Sequence, residues 1–204
     1  GAGRGKRTDE SLEIIKRLWA GERVDFEGEH FQYRDAHISP LPVQKRLPLW
    51  YGGNNKASVR RTAKYCTGWL GGPETPEEAG RVVRAIQAAC VEEGTRIPGD
   101  HYGAGFFYRY GSDDEPAVAK HLEATKARRP NRDPKATFVS GGTMDIMRRI
   151  EEYVDEGVTK FVLRPVGTDD DDLMHQTRLM IESLLPEVDA LNQRRRAEQQ
   201  AEVA

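Results

Sequence analysis

Between Leu47 and Leu70 the chain reads L-P-L-W-Y-G-G-N-N-K-A-S-V-R-R-T-A-K-Y-C-T-G-W-L. A short apolar strand ends in Gly52-Gly53-Asn54-Asn55 and runs straight into a helical pattern, after which Thr67-Gly68-Trp69-Leu70 reads as the next strand. Two strands joined through a helix pair in parallel, because a tight turn can join only antiparallel neighbours. The same junction gathers backbone N–H groups and the positive end of a helix dipole at one point, which suits a phosphate or another anion. Glycine allows that close approach, although it serves equally where a chain only has to turn tightly.

The grammar recurs along the chain. Thr8-Asp9-Glu10-Ser11 offers N-cap groups to a helix with Leu12, Ile15, Leu18 and Trp19 at helical spacing, ended by Gly21. Residues 22–46 alternate apolar and polar side chains around Gly28, as a hairpin excursion does. Beyond the strand Leu49–Tyr51 and a helix over Lys56–Tyr65, Thr75-Pro76 opens a helix carrying Val82, Val83, Ile86 and Ala89. Tyr102–Tyr110 reads as one aromatic strand, Glu115–Ala127 as a helix, and Pro130 to Pro134 as a loop. Gly141-Gly142-Thr143 then opens a helix over Met144–Glu156, which leads to a strand at Phe161–Leu163. A last helix over Asp170–Leu185 is expected to stop at Pro186, leaving residues 189–204 as a frayed polar tail after a domain over residues 1–188. About four strand–helix units are visible, which predicts an α/β fold with a parallel sheet.

Charge and composition exclude several classes of function. The 31 basic and 33 acidic side chains leave a net charge of −2, which favours neither nucleic acid nor an anionic membrane as partner. The sequence holds no apolar run of the ~20 residues that span a bilayer and no signal-peptide pattern at its start, so a cytoplasmic location is expected. Cys66 and Cys90 have no metal-ligand spacing, and no structural metal is expected. None of the five histidines is spaced to pair with a nucleophile or base, so no catalytic residue is assigned.

Four units fall short of the eight of a closed (β/α)8 barrel, which takes roughly 250 residues. The order R-T-D-E-S-L-E-I-I-K-R-L-W-A-G-E, F-E-G-E-H-F-Q-Y-R-D-A, P-L-P-V-Q, L-P-L-W-Y-G-G-N, T-G-W-L, G-V-T-K-F-V-L-R-P and L-L-P-E-V resembles the luciferase-like monooxygenase superfamily, most closely its deazaflavin branch. The resemblance runs from about Arg4 to Val188. It implies the TIM-barrel fold, here as a C-terminal half-barrel of about strands five to eight, with FMN or coenzyme F-420 at the C-terminal ends of the strands. It also implies that the groups facing the reactive ring belong to the first four strands.

Carried onto this sequence, the resemblance assigns Gly52, Gly53 and Asn54 to the cofactor's phosphate-bearing chain, with Ser58 as a hydroxyl donor one turn into the helix. Trp69 is either a cofactor contact or a core residue, and Thr67 stands where the family usually has an acid. Phe106 and Tyr108, with Phe107 between them, are read as walls of a small-molecule substrate pocket or as packing. Arg164 is read as a cation at the barrel mouth or as the partner of the Asp169–Asp172 run. As a full-length enzyme such a chain would be a flavin- or deazaflavin-dependent oxidoreductase. The alternative is a non-catalytic half-barrel that works as an assembly partner, as a homodimer or with a complementary half, since exposed parallel-sheet edges and an uncovered apolar face invite association.

Overall fold

The computed structural model describes residues 3–203. Its order is α1 (Arg4–Trp19), β1 (Val24–Glu27), β2 (Gln32–Ala36), β3 (Trp50–Tyr51), α2 (Lys56–Tyr65), β4 (Gly68–Leu70), α3 (Pro76–Glu92), β5 (Tyr102–Ala104), β6 (Phe107–Tyr110), α4 (Pro116–Arg128), a 3-10 turn at Pro134–Thr137, β7 (Phe138–Gly141), α5 (Thr143–Asp155), β8 (Lys160–Phe161), β9 (Arg164–Pro165), α6 (Asp170–Leu179), a π-helical turn at Met180–Leu184, and α7 (Leu185–Val203). The chain divides into two compact units, one of residues up to Gly72 with Arg81–Gly103, the other of Pro73–Gly80 with the chain from Ala104 onward. No helix among the described residues is long and apolar enough to cross a membrane.

In the first unit β3, β4 and β5 pair in sequential order and in parallel, with Trp50 opposite Gly68, Tyr51 opposite Trp69 and Trp69 opposite Tyr102. Each crossover is a helix, as parallel pairing requires. Val82, Val83 and Ile86 on α3 are buried as the spacing predicts. The antiparallel hairpin β1–β2 is also as expected. Helix α1 starts earlier than the sequence suggests, at Arg4, so Thr8 and Ser11 lie inside it and return their hydroxyls to the carbonyls of Arg4 and Arg7. That frees Glu10 to act at longer range. Its carboxylate accepts the N–H groups of Glu29, His30 and Phe31 and so fastens the hairpin turn to the helix.

The second unit has the parallel order β7-β6-β9. The single strand expected over Tyr102–Tyr110 is divided at Gly105-Phe106, and the one expected at Phe161–Leu163 is divided at Val162-Leu163. Pairing nevertheless continues across both breaks: Val162, Arg164 and Val166 donate their N–H groups to the carbonyls of Ala104, Phe106 and Tyr108. Backbone meets backbone closely at the bend. A Cβ on Gly105 would fall on the Val162 carbonyl, well inside van der Waals contact. Strand β7, in a segment with no sequence signal beyond Phe138-Val139, forms because β6 supplies four successive partners, Phe107 to Tyr110.

Behind this sheet, Ala117, Val118, Phe138 and Val166 form an apolar cluster with Phe107 and Leu122 packed against it. Ile146, Met147, Ile150 and Tyr153 are the buried face of α5. The chain does not stop at Pro186. The Leu185 N–H donates five residues back, to Met180, and this wider π turn precedes the proline, whose ring would clash with the carbonyl four residues before it in a regular helix. Residues 189–203 are therefore helical, with Leu191 buried and Arg195 paired to Asp155 at 2.7 Å, while Ala204 of the expected frayed tail lies outside the described residues.

The close approach at Gly105 sets a test. Gly105→Ala is expected to lower unfolding stability by about 1–3 kcal/mol through overpacking, whereas Gly99→Ala, which meets nothing within 4 Å, should change it by less than ~0.5 kcal/mol. Urea unfolding of both variants checks this. Equal midpoints would refute the account of the bend.

Candidate functional site

Strand β3 delivers Gly52 and Gly53 to the start of α2. Gly53 has φ +98°, a left-handed conformation that side chains resist, and a Cβ there would lie 2.6 Å from the Ser58 hydroxyl oxygen. Ser58 is buried and stands directly behind the turn. Asn55 is the N-cap: its side-chain oxygen accepts the Ser58 N–H at 2.9 Å. Trp69 is fully buried, and its indole N–H donates to the Gly53 carbonyl at 2.9 Å. This bond holds the turn from below, turning that carbonyl towards the sheet. Gly52, Gly53 and Asn54 remain exposed. The structure thus brings together the turn, Ser58 and Trp69, and gives Trp69 the core position that was one of its two readings. The sequence reading passed over Asn55, whose signal was its place as the last polar residue before the helix.

The second glycine pair is organised differently. The Asp145 carboxylate folds back over the start of α5 and accepts the Gly142 N–H at 2.9 Å, so this helix end carries its own anion.

In the second unit, Phe106 and Tyr108 are fully buried. The Phe106 ring stacks on Tyr153 at 5.8 Å, and the Tyr108 hydroxyl donates to the Gln176 carbonyl at 3.3 Å. Phe107 on the opposite side of the strand packs against His121 at 4.6 Å, where burial pushes the imidazole pKa down. Arg164 is exposed and lies over the Phe107 ring at 5.3 Å. The acidic run has a different partner from the one weighed for it. Arg109, buried and unmarked in the sequence reading, binds Asp172 at 2.9 Å, the Val166 carbonyl at 2.8 Å and Glu115 at 2.6 Å.

This arginine ties the ends of β6 and β9 to the first turns of α4 and α6. Asp172 also accepts the Thr168 N–H, and Glu115 accepts the Ser112 N–H at 2.8 Å. Beside them the buried Gln176 side chain accepts the Tyr110 N–H at 2.7 Å and donates to the Tyr110 carbonyl at 3.1 Å, standing in for a neighbouring strand. All these groups lie where the parallel strands end, the face on which barrel enzymes build their sites. Among the described residues no cluster of three metal-ligating side chains occurs.

Comparison with known proteins accords with this fold. A profile of the luciferase-like monooxygenases matches residues 2–183, and the chain belongs to that family. An uncharacterised protein of Mycobacterium bovis is 34% identical over 97 residues, covering 48% of this chain and 33% of that protein. A pyrimidine monooxygenase of Stutzerimonas stutzeri is 33% identical over 93 residues, covering 43% of this chain and 25% of that protein. Among solved structures, an F-420-dependent secondary alcohol dehydrogenase in complex with an F-420–acetone adduct superposes with a TM-score of 0.73 at 14% identity, covering 88% of this chain and 60% of that one. The chain thus spans a third or less of the matched curated relatives and about three fifths of that solved enzyme. The α/β fold with parallel sheets is that of the luciferase-like TIM-barrel enzymes.

The Arg109 node makes acid stability testable. Glu115 is held below the ordinary carboxylate range first by its bond to Arg109, and Asp172 first by the Thr168 N–H and then by Arg109. A carboxylate with a depressed folded pKa contributes stability that is complete above its unfolded pKa and is lost as pH falls through the folded value. The urea midpoint is therefore expected to fall as pH drops from about 5 to about 3. Arg109→Met should flatten that slope. A variant with the parent's acid slope would refute the node's contribution.

Proposed function

We propose that this chain is part of a flavin- or deazaflavin-dependent oxidoreductase, in which Gly52, Gly53 and Asn54, with the Ser58 hydroxyl behind them, hold the phosphate-bearing chain of FMN or coenzyme F-420. The observation that carries the reading is the strand–Gly-Gly–helix turn, pinned at the Gly53 carbonyl by Trp69, in a chain of the luciferase-like family. The turn leaves no side chain at its two glycines, so a phosphate can reach backbone N–H groups and the positive end of α2. Relatives support the choice of cofactor: one solved structure is an F-420-dependent alcohol dehydrogenase, another is a riboflavin lyase with modified FMN. When bound, such a cofactor supplies hydride transfer or oxygen activation, and the protein supplies binding and orientation.

The substrate is a small molecule. Of the residues assigned to its pocket, Arg164 offers an exposed cation, while Phe106 and Tyr108 support the strand that carries it through buried contacts. Fluorescence titration of the chain with FMN and with F-420 tests the reading. Saturable binding of one of them is expected, and Asn54→Asp, which sets a carboxylate at the turn, should weaken it by about tenfold or more, ~1.4 kcal/mol. A chain that binds neither cofactor would overturn it.

An assembly role is the second reading, and an apolar surface of the second unit favours it. A cavity of about 840 Å³ is lined by Ile150, Phe161, Leu163, Met180 and Leu184, with Val162 and Leu185 each about two fifths exposed at it. Uncovered apolar surface of this kind favours association. Light scattering is expected to give a dimer. A monodisperse monomer would count against self-association.

A further inference from the structure

The opposite end of the first unit's sheet holds a feature that the cofactor turn does not use. A cavity of about 550 Å³ opens where β3 and β4 begin, with Leu47 and Leu49 ahead of one strand and Cys66 and Thr67 ahead of the other. The glycine turn follows β3, so the two sites sit at opposite ends of the same parallel strands. Five cations line the cavity: Lys16, Lys45, Arg46, Lys64 and Arg96. No carboxylate lines it among the described residues, although the chain as a whole is acidic by two charges.

Helix geometry explains part of this charge. Lys16 and Lys64 lie in the last turns of α1 and α2, where cations complement the negative end of the helix dipole. Both ammonium groups also lie over the Tyr65 ring, at 5.8 and 5.0 Å, and Glu93 acts on Lys64 from outside the cavity wall. The other three cations have no such reason to be there. Lys45 and Arg46 are exposed on the segment before β3, and Arg96 on the segment after α3. The Cys66 thiol adds no negative charge, because burial pushes its pKa up to about 11. The apolar and aromatic wall of the cavity includes Leu47, Leu49 and the half-buried Trp19, whose ring carries no such cation among the described residues. The loop that carries Arg96 is anchored by Thr95, whose hydroxyl donates to the Ala63 carbonyl at 2.7 Å.

We propose that this cavity binds a small phosphate-bearing ligand with a planar apolar body, the chemical class of a nucleotide. The cations take the phosphates and the aromatic wall takes the planar body. Lysine and arginine are the usual phosphate partners, an aromatic wall stacks any planar base, and the volume is within the ~300–1,000 Å³ of small-molecule sites. This site is independent of the cofactor turn and of the reaction proposed there.

Isothermal titration calorimetry with ATP as the probe tests the proposal, with pyrophosphate and adenosine as separate titrants. ATP is expected to bind more tightly than either, since only it presents both features. The double variant Lys45→Ala, Arg46→Ala, on exposed positions whose loss leaves the fold intact, should weaken ATP at least fivefold. Asn54→Asp should leave ATP binding unchanged. Absence of ATP binding would overturn the proposal, as would pyrophosphate binding as tightly as ATP. So would ATP binding that responds to Asn54→Asp and not to the double variant, since the ligand would then sit at the glycine turn.

Discussion

Parallel strand pairing is the constraint from which the rest of this structure follows. Such a pair cannot be closed by a tight turn, so each return between paired parallel strands passes through a helix, and that helix starts after a strand has ended. Within each unit the result is an end of the sheet at which strand ends and helix N-termini gather, the kind of end at which barrel enzymes bind their ligands. Gly52-Gly53, Gly142 and the Asp169 cap of α6 all follow strands, ahead of α2, α5 and α6. Their chemistry differs because the residues after each strand differ. Asp145 and Asp169 supply carboxylates to their own helices, whereas Asn55 caps α2 with a neutral side chain and leaves the charge there to come from elsewhere.

A second layer of order comes from buried polar groups. Arg109 reaches two carboxylates and a carbonyl, and Gln176 reaches both backbone groups of Tyr110, so the end of β6 is bonded beyond the point where its pairing with β9 stops. Burying an arginine is costly unless it is paired, and here each partner carboxylate accepts a further N–H, from Thr168 or Ser112. Trp69 does the same for the Gly52-Gly53 turn with one bond to Gly53. Each is a contact between residues far apart in sequence that holds a loop in one conformation.

Local patterns carried most of the architecture. The period of Val82, Val83 and Ile86 identified a buried helix face, and the alternation around Gly28 identified the hairpin. The order of motifs pointed to the luciferase-like family. Boundaries were less legible where tertiary partners intervene. Thr8 and Ser11 look like helix starters because their hydroxyls bond the backbone, but inside α1 they bond carbonyls four residues back instead. Pro186 looks like a helix end until the π turn before it relieves the clash.

The sequence by itself determined the α/β alternation, the family and the turn at Gly52-Gly53, because these depend on residues near one another in the chain. Only the tertiary structure decided that Arg109, not Arg164, meets the acidic run, that Phe138–Gly141 is a strand, and that five cations from two helix ends and two connecting segments share one cavity. The reason is distance along the chain. Arg109 and Asp172 are brought together by pairing between β6 and β9, and Lys16, Lys64 and Arg96 by the return of successive helices to one end of the sheet, where the segment with Lys45 and Arg46 enters β3. A single residue's neighbourhood in the sequence carries no mark of such a meeting.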